Sequence, residues 1–216
     1  MPKVVDHDQR RAEIVMALWQ VIHQQGIDGV SFRAVAEATD VSVGRIQHYF
    51  PSREELVLDG CRRMVAAAVA DHGPGGRPAD PQEARAALMS LLSASLSEAD
   101  EFRVGASVWA AYQAKAVSSP GIAAIVVDAL VGRSTLLAEL VASARATGGA
   151  RSPAPTSADS ADALCLASLS EGLAHRVLAG AMRASEARRL LDEAAARYLE
   201  RDDSASPCSG GRERAR

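Results

Sequence analysis

The sequence predicts an all-α protein with about nine helices. Of its 216 residues, 48% are hydrophobic but only 4% are aromatic, a balance typical of helical proteins rich in alanine and leucine. Apolar residues recur at spacings of three and four through most of the chain, as they do on one face of a helix. Two stretches crowded with small residues and proline, at 72–81 and 147–160, interrupt these patterns and predict loops, the second of them mobile.

The first helix is predicted to run from Arg10 to Gly26. Residues 1–9 before it are polar and are expected to be flexible. Its apolar face, at helical spacing, consists of Ile14, Leu18, Val21 and Ile22. This face would pack across the next two helices and complete a three-helix domain of residues 10–56.

Residues 31–56 have the pattern of two short helices joined by a tight turn. Ser31 is a residue type that caps helix starts, and a short helix to Ala38 is predicted after it. Thr39-Asp40-Val41 would form the turn, and Ser42 supplies a second cap. This is the plan of a helix-turn-helix, in which the second helix enters the DNA major groove.

The second short helix is predicted between Ser42 and Phe50. Ile46 and Phe50 lie four residues apart and would face the core. The other side chains would face outward, and none of them is acidic. Gly44 near the helix start costs about 1 kcal/mol relative to alanine, and close approach of the backbone to a phosphate would account for it.

A capping-box spacing, Ser52-x-x-Glu55, predicts the start of a long fourth helix that ends near Asp71. We interpret residues 57–72 as a connecting helix and residues 73–201 as a ligand-binding and dimerisation domain. Residues 202–216 are rich in serine, glycine and arginine and are predicted to be disordered.

The second domain is predicted to contain the remaining helices. Asp80-Pro81-x-Glu83 combines an N-cap, a proline at the first helical position and an acidic first turn. It predicts a helix that runs to about Leu96. The later helices are predicted at 101–117, 122–146, 161–181 and 185–199.

The helix-turn-helix segment resembles the DNA-binding domain of the TetR family of bacterial transcriptional regulators. The residues that match the family's pattern are Ser31, Val35-Ala36, Gly44, Tyr49-Phe50 and Ser52-Arg53-Glu54-Glu55-Leu56. Two positions depart from it, since Thr39-Asp40-Val41 replaces the usual Ala-Gly-Val and Arg53 stands where lysine is commoner. The resemblance implies a homodimer that binds an inverted-repeat operator in double-stranded DNA and is released by a small molecule.

The outward face of the second short helix supplies the candidate DNA contacts. Arg45 and Gln47 are the candidates for base recognition, because their side chains form paired hydrogen bonds with guanine and adenine edges. Arg33 could contact either a base or a phosphate. The candidates for phosphate contacts are Ser31, Ser42, Gly44, His48, Tyr49 and Arg53.

The composition excludes several other classes of protein. A net charge of −3 does not suit a protein that coats nucleic acid, so the case for DNA depends on where the arginines lie. The common motifs of hydrolases and phosphate-binding loops do not occur, so we expect neither an enzyme nor a cofactor. The three cysteines lack metal-ligand spacing. Without a signal peptide or a long apolar run, the protein is expected to be cytoplasmic.

Several residues of the second domain are candidates for ligand binding: Met89, Trp109, Tyr112, Glu171 and His175. Core packing for the tryptophan, and a surface pair or dimer contact for Glu171 and His175, remain open as alternatives. The segment LSEGLAHRVL resembles the subgroup with a choline-repressor-like C-terminal domain, although this does not make choline the ligand. A ligand-independent regulator and a helical enzyme are the rival interpretations.

The resemblance also implies that the last two helices pair with those of a second subunit in a four-helix bundle. The candidate interface residues are Leu166, Leu169, Leu173, Val177, Leu191 and Ala194. Such apolar stripes are more often buried within one chain, and that alternative stays open. Repression is the commonest mode of the family and is therefore expected.

Overall fold

A computed structural model of the chain describes residues 7–39, 41–71, 78, 80–97, 99–146 and 154–200. Over these ranges the protein contains nine α-helices, one short 3-10 helix and no strand. The prediction of an all-α fold is confirmed. The helices are α1 His7–Gln25, α2 Phe32–Thr39, α3 Val43–Tyr49, α4 Arg53–Asp71, α5 Pro81–Ser93, α6 Asp100–Ala116, α7 Pro120–Arg145, α8 Ser157–Leu178 and α9 Ala184–Leu199, with the 3-10 helix at Ile27–Gly29.

Four boundaries differ from the predicted ones by three residues or more: two helix starts, and the ends of α5 at Ser93 and of α8 at Leu178, which were predicted at Leu96 and Ala181. The first helix already begins at His7, so the expected flexible N-terminus is too long by at least three residues. The predicted loop of residues 147–160 is also too long, because α8 begins at Ser157. The rest of that loop up to residue 153, and the tail predicted to be disordered at 202–216, lie outside the described residues.

Helix starts follow side-chain caps. The predicted caps are present at Ser42, which accepts from the N–H of Arg45 at 3.3 Å, and at Ser52. The early start of α8 has a cap that the sequence analysis missed: the Thr156 hydroxyl accepts from the N–H of Asp159 at 3.1 Å, and the Asp159 carboxylate accepts from the N–H of Thr156 at 2.9 Å. A reciprocal pair of this kind satisfies two backbone donors and fixes where the helix begins.

The hydrophobic residues form two cores. The first lies among α1 to α4 and is completed by side chains from α6 and from the beginning of α7. Its buried members include Leu18, Val35, Ile46, Phe50, Cys61, Val108, Tyr112, Ile122 and Val126. The second lies among α5, the end of α7, α8 and α9 and consists almost entirely of leucine, alanine and valine. Helix α7 therefore contributes to both cores.

Helix α7 is also apolar enough, by length and composition alone, to cross a membrane. Sequence analysis counted only uninterrupted apolar runs and did not single it out. In this fold the helix is central, because it packs against α4, α5, α6, α8 and α9. These contacts bury only 22% of its most apolar stretch, and Val127 and Val131 remain exposed, so they account for part of the apolar character of α7.

The predicted dimer residues need a correction. Leu166, Leu173, Val177 and Leu191 are buried in the second core of their own chain, so they cannot supply an interface with another subunit. Leu169 and Ala194 are partly buried against the same core. The physical reason is that α5 and α7 already cover this apolar face of α8 and α9. The outer face of α8 instead exposes Ala161, Leu164, Cys165, Ser168 and Gly172.

Candidate DNA-binding surface and ligand cleft

Helix α3 is fixed by its core face and leaves its other face in solvent. Ile46 and Phe50 are fully buried, as the spacing predicts. The exposed residues at the predicted contact surface are Ser42, Gly44, Arg45, Gln47 and His48, while Tyr49 is half-buried. No residue of α3 is acidic. The helix therefore offers polar and cationic groups together, as recognition of DNA edges and phosphates requires.

Helix α2 lies beside α3 and carries two of the predicted contacts. Ser31 caps it, accepting from the N–H of Ala34 at 3.1 Å. Arg33 is exposed and its Nε lies 3.0 Å from a carboxylate oxygen of Glu37. A surface pair of this kind contributes little energy, so the Arg33 side chain can leave Glu37 at small cost.

Arg53 has an intramolecular role that the sequence analysis missed. Its Nε donates to the carbonyl of Val30 at 2.6 Å, and its Nη2 donates to the carbonyl of Ile27 at 2.7 Å. The guanidinium thereby ties the start of α4 to the segment that enters α2. A phosphate contact by Arg53 remains a prediction, and it would have to use the remaining N–H groups.

Arg11 positions the end of α3 and was also missed. Its Nη1 donates to the carbonyl of Tyr49 at 3.1 Å, and its Nη2 lies 2.9 Å from Asp59 Oδ1. The guanidinium carbon stands 4.4 Å above the centroid of the Phe50 ring. The signal was present in the sequence, since Arg11 precedes Ile14 by three residues and so lies on the apolar face of α1.

His7 adds a third ring to the aromatic end of α3. Its ring centroid is 4.6 Å from that of Tyr49 and 6.5 Å from that of His48. The rings of His48 and Tyr49 are 5.4 Å apart. His7 was missed because it lies in the polar stretch that was expected to be flexible.

Tyr112 joins the second domain to α4, so its assignment to ligand binding is corrected. Its side chain is fully buried in the first core, and its hydroxyl donates to the carbonyl of Val57 at 3.1 Å. Burial raises the pKa of Tyr112, which keeps the hydroxyl protonated. The junction is tight, because a Cβ at Gly60 would lie 2.7 Å from this hydroxyl and 2.5 Å from Leu18 Cδ2.

Two further contacts link the second domain to the end of α1 and the turn that follows it. Lys115 Nζ lies 2.8 Å from Asp28 Oδ1, and His23 Nδ1 lies 2.6 Å from Ser107 Oγ. Both pairs connect α6 to the first 29 residues. Helix α6 therefore links the N-terminal helices to the C-terminal ones, together with α7, which packs against α4.

Three of the five predicted ligand residues meet at one cleft between α6, α7 and α8. Trp109, Glu171 and His175 line it together with Ser95, Ala106, Ala110, Gln113, Arg133, Ser170, Ala174 and Leu178. Its enclosed space is about 30 Å³, which holds one or two water molecules. Met89 is not among the lining residues, because it packs against the second core.

Arg133, Glu171 and His175 form a group of polar side chains in this cleft. Arg133 Nη1 lies 3.3 Å from Glu171 Oε1, and Nη2 donates to the carbonyl of Leu91 at 3.5 Å. Burial lowers the pKa of Arg133, and the charge of Glu171 offsets part of that shift. His175 Nδ1 lies 2.8 Å from the carbonyl of Glu171. Sequence analysis missed Arg133 because only the fold brings α7 beside α8.

The described residues contain no group of three side chains that could hold a metal ion. Cys61 is buried, which raises the pKa of its thiol to about 11, whereas Cys165 is exposed. Cys208 lies outside the described residues.

Comparison with known proteins agrees with this architecture. Residues 14–59, which include α2, α3 and the start of α4, match the model of the bacterial regulatory proteins of the tetR family. The chain is 39% identical over 71 residues to the transcriptional regulator PksA of Bacillus subtilis, and 27% identical over 122 residues to the regulator BetI of Ectopseudomonas mendocina. These matches cover 33% and 56% of this chain and 34% and 62% of the relatives.

Solved structures match over most of the fold. A transcriptional regulator from Rhodococcus sp. Rha1 superimposes with a TM-score of 0.74 at 25% identity, covering 88% of this chain and 96% of that one. A regulator from Saccharomonospora viridis, solved in complex with choline, has a TM-score of 0.72 at 23% identity over 85% of this chain and 94% of that one.

The fold and the helix-turn-helix segment are those of TetR-type transcriptional regulators, which are not enzymes. Residues 14–59 carry the DNA-binding domain of the bacterial regulatory proteins of the tetR family. The chain spans about a third of PksA and about three fifths of BetI in the regions that match, so its particular operator and ligand do not follow from these relatives.

Proposed function

We propose that the protein is a cytoplasmic transcriptional repressor that binds an inverted-repeat operator as a homodimer and is released by a small molecule. The observation that carries the proposal is the exposed face of α3. Arg45 and Gln47 stand in solvent there, while Ile46 and Phe50 anchor the opposite face in the core. This arrangement leaves the base-reading side chains free and holds their backbone rigid.

The dimer would form through the outer face of α8 and not through the stripe first predicted. Leu164 is 57% exposed on this face, and its neighbours one turn apart are small. Small residues allow helices to approach closely, and a buried leucine at the centre would contribute about 1.5–3 kcal/mol. A two-fold dimer would present two copies of α3 to half-sites about 34 Å apart or a multiple of that distance.

Release would follow from the position of α6. This helix carries Trp109 in the cleft and Tyr112 in contact with α4, so a ligand that displaces α6 also moves the helix behind the reading domain. The ligand must bind the arrangement with lower DNA affinity more tightly. A coupling of ~1–3 kcal/mol would weaken DNA binding about 5- to 150-fold.

The test is fluorescence anisotropy of the purified chain with the DNA that flanks its own gene and with random DNA of equal length. Arg45→Ala should weaken binding to the cognate fragment by ~1–3 kcal/mol and relax the preference at one base position. The matched control is Arg188→Ala, which removes an exposed arginine on α9. Equal loss on cognate and random DNA would contradict base reading by Arg45.

The dimer is tested separately by light scattering coupled to gel filtration. Leu164→Glu should yield monomers and lose cooperative operator binding. Val117→Glu is the control, because Val117 is 91% exposed at the far end of α6. A dimer that withstands Leu164→Glu would place the interface elsewhere.

A further inference from the structure

The cleft between α6, α7 and α8 contains a cation with long hydrogen bonds. Charge-assisted N–H···O bonds are typically about 2.7–2.9 Å, and a guanidinium has five N–H donors. The described contacts of Arg133 to Glu171 and to the Leu91 carbonyl are 3.3 and 3.5 Å. Since the side chain is largely removed from water, a better acceptor in the cleft would stabilise it.

We infer that the cleft binds a small organic carboxylate, whose carboxylate group pairs with Arg133 and whose apolar part lies against Trp109. This inference rests on the proposed release by a small molecule and names the chemical class of that molecule. Arginine is suited to the role, because its planar fork binds carboxylates through two parallel hydrogen bonds.

The same charges disfavour a quaternary ammonium ligand such as the choline bound to the Saccharomonospora viridis regulator. Glu171 could attract such a cation, but it already lies beside Arg133, which would repel it. A carboxylate would be repelled by Glu171 but can pair with N–H groups of Arg133 that Glu171 does not use, whereas a quaternary ammonium has no N–H to pair with Glu171. Gln113, which lines the cleft, offers a further neutral donor.

The size of the cleft connects binding to release. The cleft is narrow, with room for about one or two water molecules, so we expect a bound organic acid to move α6 and α8 apart. Trp109 and Tyr112 lie three residues apart on α6, and the tyrosine is bonded to Val57 of α4. The displacement of α6 is therefore transmitted directly to the helix that supports the reading domain.

The experiment uses the full chain without DNA and measures melting temperature and heat of binding. The probes are butyrate, hexanoate, benzoate and phenylacetate, each with its uncharged amide, and choline. We expect at least one acid to bind where its amide and choline do not. Arg133→Met should lower the affinity for that acid about tenfold or more. Glu171→Gln should raise the affinity, because a competing carboxylate is removed.

Two controls keep the result decisive. Arg176→Met removes an exposed arginine of α8 and should leave acid binding unchanged. The double variant Arg133→Met with Glu171→Gln removes both charges of the pair, so it should fold even if Arg133→Met alone does not. It should likewise fail to bind the acid.

The inference is overturned if no acid in the set binds, or if the acid binds equally to Arg133→Met. It is also overturned if choline binds and Glu171→Gln weakens that binding. DNA binding of the wild-type chain is measured in a separate assay. If the wild-type chain does not bind DNA, the proposed repressor is rejected. Binding of the acid by the cleft is decided by the calorimetric and melting data alone.

Discussion

The two hydrophobic cores of this molecule are held together in different ways. The first contains aromatic side chains and is crossed by hydrogen bonds between helices that are far apart in sequence, such as Tyr112 to Val57 and Arg11 to Tyr49. The second consists of aliphatic side chains, and at one end a largely buried arginine joins three of its helices. Hydrogen bonds between distant helices therefore fix the first core, and a charged group fixes one end of the second.

The arginine that joins these three helices is Arg145, at the end of α7. Its Nη1 lies 2.6 Å from Asp159 Oδ1, its Nη2 lies 2.5 Å from Asp162 Oδ2, and Nη2 also donates to the carbonyl of Tyr198. One guanidinium thus joins the end of α7, the start of α8 and the end of α9. The side chain is only 15% exposed, so these contacts are weakly screened.

The largest expected effect is that of Arg145→Met. The substitution leaves two carboxylates without their cation, and breaking a buried ion pair in this way costs about 3–5 kcal/mol of unfolding free energy. Arg189→Met is the control, because its pair with Glu193 is about half exposed on α9 and should contribute less than about 1 kcal/mol. Urea denaturation measures the unfolding free energy of both variants. Equal losses would show that Arg145 contributes no more than a surface ion pair.

A smaller loss of unfolding free energy is expected from Gly60→Ala in the first core. The added methyl would collide with Leu18 and Tyr112, and overpacking of this kind costs about 1–3 kcal/mol. Gly105→Ala is the control, since no atom lies within 4 Å of a Cβ there and alanine favours a helix over glycine. A stable Gly60→Ala protein would mean that the junction is looser than its geometry indicates.

Tyr112→Phe removes one hydrogen bond and should cost about 1 kcal/mol of stability. Its effect on regulation should exceed its effect on folding, because the hydroxyl connects α6 to α4. Operator titrations with and without ligand measure the coupling. If the ligand still releases the operator to the same extent, this hydrogen bond does not couple the ligand cleft to the helix-turn-helix.

The smallest expected effect concerns pH and compares a carboxylate at the start of α8 with an exposed one on α7. Burial raises the pKa of Asp159, but hydrogen bonds from Thr156 and the charge of Arg145 outweigh it, so the pKa lies below its usual 3.8. A lowered carboxyl pKa adds stability that is complete above the unfolded value and disappears as the pH falls through the folded value.

Asp159→Asn should therefore flatten the loss of stability below about pH 4, as measured by urea midpoints at successive pH values. The control is Asp128→Asn, which removes an exposed carboxylate on α7 that has no assigned partner in this network. An unchanged slope in Asp159→Asn would contradict the assigned role of this carboxylate.

Sequence patterns predicted the first domain well because local signals agree there. The caps at Ser42 and Ser52 and the spacing of Ile46 and Phe50 each act within a few residues, and all four are found as expected. The DNA contacts on the outer face are not tested by the fold and stay predictions.

The features that the sequence did not predict depend on contacts between segments that are distant in the chain. An apolar stripe shows which face of a helix is buried but not what buries it, and for this reason Leu166 and Leu191 were assigned to a dimer. Arg133 and Arg145 lie in an apolar helix, and only the folded chain shows which carboxylates they meet. Tyr112 was assigned to a ligand because its hydroxyl partner lies 55 residues away.

The contribution of α6 and α7 to the first core has a practical consequence for dissecting the protein. A truncated fragment that stopped after α4 would lack Val108, Tyr112, Ile122 and Val126, which cover Leu18 and Cys61 in the intact chain. Such a fragment would expose these apolar core residues to solvent, and when expressed alone it should aggregate or bind DNA poorly. Structural work on the operator complex therefore calls for the uncut polypeptide.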